Sequence, residues 1–182
     1  MKNNLGFTLT ELLAAVVILG ILMTMGVSTI SNVLRNQKNN LYIEDARRLG
    51  TLAEKKMKSD DSITIPSKGA CIVMSLAYLD DGTFDSAPYE NSYDKMRSFV
   101  LIKRFSGYYE YNYYVRLVEK VKSSYRGIGG SDLIPVYNKE GGTYLYKENV
   151  KNMVSNYSGL SELNTGYTNS ICGGGVDEVY VG

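Results

Sequence analysis

The sequence predicts an α+β protein: a long N-terminal α-helical spine, apolar in its first half and amphipathic in its second, packed on an antiparallel β-sheet headgroup. Three observations carry that expectation. Leu12 to Leu34 contains no charged residue, which makes roughly 34 Å of helix at about 1.5 Å per residue. Tyr42, Ala46, Leu49, Ala53 and Met57 then recur at helical spacing, flanked by Leu41 and Leu52, as one apolar stripe on an otherwise polar helix. Farther on, SFVLIKR and YYEYNYYVRLVEK form a strand pair, the second member alternating with the two-residue period of a pleated strand.

The apolar run is long enough to span a bilayer. A secretory signal carries a shorter apolar region, about 7 to 15 residues, ending at a small-residue cleavage site. The only such site here, around Ser28 to Ser31, is a poor one. Glu11 stands at the mouth of this run. A charge at the centre of a membrane helix costs about 2.5–3.5 kcal/mol and less near the edge, so an acid there calls for a partner. Gly20, Thr24, Gly26 and Ser28 weaken the helix, each glycine by about 1 kcal/mol relative to Ala, and Gly20 and Gly26 mark a place where it loosens. The same small residues permit close helix packing.

No proline interrupts residues 7–58, so both halves belong to one helix. In the second half Arg47, Arg48, Lys55, Lys56 and Lys58 mostly fall off the apolar stripe, and Glu44 has the spacing to pair with Arg47 or Arg48 for a few tenths of a kcal/mol.

Beyond the helix, Ile63 to Ile65 reads as a short extended piece. Cys71 to Leu79 is an apolar run that fits strand and helix alike. Asp80-Asp81-Gly82 and Ala87-Pro88 are turn signals. In the strand pair, with its turn at Ser106-Gly107, Tyr109, Tyr111, Tyr113, Val115 and Leu117 share the face expected to cover the helix stripe. Glu110, Asn112 and Arg116 mark the other face as wet. A further strand pair is expected at Leu133 to Tyr137 and Thr143 to Tyr146, separated by Asn138 to Gly142. The tail, with Gly159, Gly166 and Gly173-Gly174-Gly175, reads as loop.

Composition narrows the function. After the first 35 or so of 182 residues, about 145 remain, enough for one compact domain. Twenty basic against 19 acidic residues leave a net charge of +1, so no basic field exists to hold nucleic acid. The chain has no histidine, which removes the commonest general base and metal ligand and argues against an enzyme. Asp80, Asp81 and Asp85 surround Gly82 at a spacing that fits no standard calcium loop and reads as a turn. No P-loop Lys-Ser/Thr follows any glycine-rich stretch. We therefore expect no catalytic residue, no metal site and no cofactor. The Tyr-rich strand has the chemistry to stack on nucleic-acid bases, but near-neutral charge favours core packing.

The segment Leu5-Gly6-Phe7-Thr8-Leu9-Thr10-Glu11-Leu12-Leu13, preceded by Lys2 and followed by the apolar run and an amphipathic helix, resembles the class III signal of bacterial type IV pilins and pseudopilins. That resemblance covers about the first 35 residues. It implies the pilin fold, with a leader at 1–6, a membrane and filament-core helix at 7–34, its amphipathic half at 35–58, a connecting loop region at 59–97, and the sheet with a C-terminal loop region at 98–182. It also implies that a prepilin peptidase of the membrane cuts between Gly6 and Phe7 and methylates Phe7. Many pilins have a kinking proline where this chain has Ser28, so no sharp kink is implied there.

Cleavage supplies the partner for Glu11. The new amine of Phe7 stands at the end of an apolar helix, and an unpaired buried charge costs several kcal/mol. Family behaviour pairs it with Glu11 of a neighbouring subunit, making Phe7 and Glu11 the filament-assembly residues. The bland alternative is an acid stabilised by the helix dipole. The implied partners are further copies of the chain, other pilins, the prepilin peptidase, the pilus assembly machinery and the cytoplasmic membrane. The implied course is membrane first, N-terminus inside, and a surface filament for adhesion, motility or aggregation afterwards. In an exported domain Cys71 and Cys172 allow a single disulfide, closing a loop of about 100 residues, worth up to about 4.7 kcal/mol in the chain-entropy model. A headgroup of this size favours a surface pilus over the smaller competence pseudopilins. A minor pilin, a secretion pseudopilin, and a signal-anchored monomeric extracellular binding domain are the alternatives.

Overall fold

The computed structural model describes residues 6–89, 92–104, 111–122, 124–128, 134–137, 150–153 and 171–182. Its elements are helix α1 (Leu9–Ser59), strand β1 (Cys71–Ser75), a one-turn helix α2 (Leu76–Leu79), and strands β2 (Phe99–Arg104), β3 (Tyr111–Val121), β4 (Ser124–Ile128), β5 (Ile134–Tyr137), β6 (Lys151–Met153) and β7 (Val176–Tyr180). The architecture is α+β, as the sequence predicts. Two compact units divide the chain, Met1–Gln37 and Lys38–Gly182.

In the first unit α1 passes through Gly20 and Gly26 without a break. Three of its hydroxyls are satisfied within the helix. Thr24 Oγ1 donates to the Ile21 carbonyl at 2.8 Å, Thr29 Oγ1 to Met25 at 3.2 Å and Ser31 Oγ to Val27 at 3.0 Å. This back-bonding lets polar side chains sit in an apolar segment.

In the second unit α1 buries Tyr42, Ala46, Leu49 and Ala53 completely, with Leu52 and Met57 partly covered. Leu41, expected beside the stripe, is 51% exposed, and Ile43 is buried in its stead. The stripe meets one face of the sheet, where Ile72, Met74, Val100, Ile102, Tyr113, Val115 and Leu117 complete the main core. Glu44, expected to pair with Arg47 or Arg48, does neither. Arg48 pairs with Asp45 at 3.6 Å, because Asp45 lies closer to the covered side.

The sheet runs β6-β4-β3-β2-β1-β7, with β5 also on β3. Among the described residues each strand pairing is antiparallel except β1 with β7. The β2–β3 hairpin is in register from Phe99↔Arg116 to Arg104↔Tyr111. Its expected turn at Ser106-Gly107, with Tyr109 and Glu110, lies outside the described residues. The undecided run Cys71 to Leu79 is both things in succession, strand then helix, with Ser75 as the cap: its Oγ accepts from the Tyr78 N–H at 3.1 Å. Ile63 to Ile65 forms no strand; Ile63 points into the core instead.

The far face of the sheet corrects the expected wet side of β3. Arg116 is 1% exposed, its guanidinium 5.1 Å from the centre of the Phe99 ring. Beside it a second small core joins Cys71, Val73, Phe99 and Leu101 to Cys172, with Tyr114, Ile171 and Val176 at its margin. The tail expected as loop supplies this cover. Gly175 turns with φ +89°, its carbonyl accepts from the Cys71 N–H at 3.0 Å, and β7 then runs parallel to β1. Ile134–Tyr137 is a strand as expected, but its partner among the described residues is β3; Thr143 to Tyr146, Asn138 to Gly142, Gly159 and Gly166 lie outside them.

Candidate functional site

The head of α1 is built from three residues. Thr8 is the residue before the first helical turn, and its backbone N–H donates to Glu11 Oε2 at 2.8 Å while its hydroxyl donates to the same oxygen at 2.9 Å. In return the Glu11 N–H donates to Thr8 Oγ1 at 3.3 Å. The Leu12 N–H donates to the Thr8 carbonyl at 3.1 Å and closes the first turn. This is a reciprocal capping box, in which the two residues satisfy donors that a helix start otherwise leaves bare. Thr8 is the residue the sequence reading missed, although Thr-x-x-Glu ahead of an apolar run is its signature.

Phe7 lies just outside the helix and is 86% exposed; nothing lies within 4 Å of the Cβ position of Gly6. While Gly6 precedes it, the Phe7 nitrogen is a peptide amide and carries no charge. Glu11 therefore has no amine to neutralise in the uncut chain, and its carboxylate serves the helix. From Leu12 to Leu34 the large apolar side chains stand exposed. By length and composition α1 is long and apolar enough to cross a membrane.

Further along, the domain half of α1 is held by polar contacts that sequence spacing alone does not reveal. Tyr42 donates to the Arg126 carbonyl at 3.0 Å, Tyr93 donates to Asp45 Oδ2 at 2.7 Å, and Tyr89 donates to Asn39 Oδ1. Arg126 lies 4.3 Å from the centre of the Tyr89 ring and faces the buried Glu119 across the β3–β4 pair. Burial, with the charge of Glu119, holds the Tyr42 phenol well above its ordinary range. Burial and the bond to Asp45 do the same for Tyr93. These phenols are fixed as neutral donors.

The acidic turn is used locally. Asp80 Oδ1 accepts from the Gly82 N–H at 2.9 Å and Asp81 Oδ1 from the Thr83 N–H at 3.2 Å. Lys95 Nζ lies 2.5 Å from Asp80 Oδ2 and 3.6 Å from Asp85. Cys71 and Cys172 are joined in a disulfide, their Cα atoms 5.6 Å apart. Of the sequence-predicted residues, the structure thus brings the two cysteines together and gives Glu11 a partner in its own chain.

The first 27 residues match the family model of the prokaryotic N-terminal methylation motif, the class III signal of type IV pilins. The chain therefore carries the processing signal of a type IV pilin-like or pseudopilin-like substrate, ahead of a long helix. Curated proteins and solved structures yield no match to the chain.

Proposed function

We propose that the chain is the structural subunit of a type IV pilus. A prepilin peptidase removes residues 1–6, Phe7 is methylated, and the helix from Leu12 to Leu34 holds the subunit in the cytoplasmic membrane, N-terminus inside, until assembly. The same apolar surface then leaves lipid for the core of a filament, where helices of other copies cover it. The observation that carries this reading is the processing motif over residues 1–27 running directly into a helix that continues to Ser59. In the filament Glu11 neutralises the Phe7 amine of the next subunit, and the headgroup, a disulfide-closed sheet, faces outward. The role is mechanical, not catalytic.

The test is the N-terminal residue of the mature protein by mass spectrometry, expected to be N-methylated Phe7. Gly6→Leu is expected to leave the protein inserted, uncut and unassembled; normal filaments from that variant would end the reading. The capping box favours a second reading, a signal-anchored monomeric binding domain, because Glu11 is already satisfied in a single chain. That protein retains residues 1–6 and never polymerises.

A further inference from the structure

β7 ends the sheet and has β1 as its one strand neighbour among the described residues. Asp177, Glu178 and Val179 are exposed, and the strand's further hold on the domain comes from side chains instead of a second ladder. The Ser67 N–H donates to Asp177 Oδ2 at 2.5 Å, and Thr64 Oγ1 donates to Glu178 Oε2. The same glutamate oxygen accepts from the Tyr180 hydroxyl at 2.8 Å, and that hydroxyl accepts from the Thr64 N–H at 2.8 Å. Asp177 is the extra residue where the β1–β7 register shifts, the kind of irregularity that re-aims a side chain. The segment gripped, residues 60–68, follows directly on α1. Among the described residues neither carboxylate has a lysine or arginine partner, so each bond to them comes from a neutral donor.

We propose that these contacts are an acid-released latch: at neutral pH Asp177 and Glu178 hold β7 to the segment after α1, and once they are protonated the strand lifts from Val176 onward while the Cys71–Cys172 bridge keeps its root on β1. A carboxylate oxygen accepts from two donors at once, whereas a protonated carboxyl gives up acceptor capacity and the charge that strengthens each bond. A hinge is in place. Gly173-Gly174-Gly175 stands between the bridge and the strand, with Gly175 at φ +89°, a backbone that glycine adopts at no steric cost. Release has a consequence at β1, whose five residues are all fully buried. It bares the edge of that strand, a template for another extended segment. The groups around Glu178 are the Tyr180 phenol, the Tyr78 ring of α2 5.3 Å from that of Tyr180, and Lys56 of α1, 5.3 Å from the centre of the Tyr78 ring and paired with Asp60. Asp61 and Lys68 stand exposed in the gripped segment, and β1 carries no charged side chain. The Thr64 hydroxyl, then that of Tyr180, holds the Glu178 carboxyl below its ordinary value. A group so depressed keeps its bonds above its unfolded value, near 4.3, and loses them as pH falls through the folded one, so the latch opens below about pH 4.

The experiment is amide hydrogen exchange on the full-length protein in detergent micelles, disulfide intact, at about pH 7 and about pH 3.5, with each rate corrected for the intrinsic rate at that pH. In acid, residues 176–182 are expected to lose protection by a factor about three to ten larger than β2 and β3 lose, the scale of one hydrogen bond. Glu178→Gln is expected to show the same selective loss already at neutral pH and little further loss in acid. Glu178→Ala, which removes the acceptor outright, is expected to lose at least as much. Parallel loss in β7, β2 and β3 of the wild type overturns the latch, as does wild-type protection of β7 in either variant at neutral pH. Thr64→Val cuts the same bond from the other side and keeps the carboxylate. Added to Glu178→Ala, it is expected to change β7 protection by less than about twofold, because the two side chains act as one pair; an undiminished effect in that background overturns the latch.

Discussion

Thr8 and Glu11 cap each other. The Thr8 N–H lies 2.8 Å from Glu11 Oε2 and the Glu11 N–H 3.3 Å from Thr8 Oγ1, so the acid at the mouth of the apolar helix has a local partner before any neighbour arrives. Both bonds from Thr8 end on the same oxygen, leaving Oε1 for a second donor.

Glutamine separates the two roles of Glu11, because Gln also serves at this position of a capping box but has no charge. Glu11→Gln is expected to be processed and membrane-held yet largely missing from filaments when produced beside wild type. Glu11→Ala loses the cap as well, worth about 0.5–2 kcal/mol of local helix stability. Neither is expected to change unfolding of the headgroup, since distant sites are nearly independent. Incorporation of Glu11→Gln in proportion to its expression would reduce Glu11 to a capping residue.

The disulfide spans 101 positions and ties the tail to the strand it then pairs with. Cys71→Ser with Cys172→Ser is expected to lower headgroup stability by about 2–4 kcal/mol, read from the denaturant midpoint. Amide exchange is expected to quicken first in β7 and its β1 partner, whose ladder the bridge anchors. Exchange unchanged in β7 would show that the strand holds by pairing alone.

Acid sensitivity follows from carboxylates held below their ordinary range, Asp80 and Asp60 among them. Burial pushes Asp80 up, but Lys95, the Gly82 N–H and the Phe84 N–H outweigh it and hold the group below its ordinary value. The Ser62 hydroxyl and then Lys56 hold Asp60 down at about 2. A depressed carboxylate stabilises the fold fully above its unfolded value, near 3.9, and loses that contribution as pH falls through the folded one. Headgroup stability is therefore expected to be level from about pH 7 to 5 and to fall between about pH 4 and 2. Lys95→Met removes the main counter-charge of Asp80, so the variant is expected to be weaker at neutral pH and to lose less on acidification. Parallel pH profiles for the two proteins would contradict this.

Gly127 sits opposite Val118 in the β3–β4 pair, and a Cβ there would overlap the Leu117 carbonyl oxygen. Gly127→Ala is expected to cost about 1–3 kcal/mol, the usual range for overpacking, because the atom in the way is backbone. A thermal midpoint within error of wild type would mean that the pair opens freely.

The sequence by itself determined what is local and periodic. The apolar run, the stripe from Tyr42 to Met57, and the alternation through Tyr113, Val115 and Leu117 each repeat at the spacing of one element, so helix α1, the β2–β3 hairpin and the face between them were legible. So was the processing motif, whose residues lie close together at the head of the chain, within the first 27 positions. Thr8 was missed, although its spacing to Glu11 carries the signature of a capping box. Tertiary structure alone decided the rest. The cysteine pair already points the tail back towards Cys71, but nothing near Val176 shows that it becomes a strand running parallel to β1, because that direction is set by the turn at Gly175, more than 100 positions away in sequence from Cys71. Arg116 reads as a wet residue by its alternation, yet it is buried with its guanidinium over Phe99, a ring that a second core shared with the other end of the chain holds on the far face. Leu41 and Ile43 flank Tyr42 on either side and are both strongly apolar; which one is buried depends on how the helix is rotated against the sheet, and only the packed core settles that rotation.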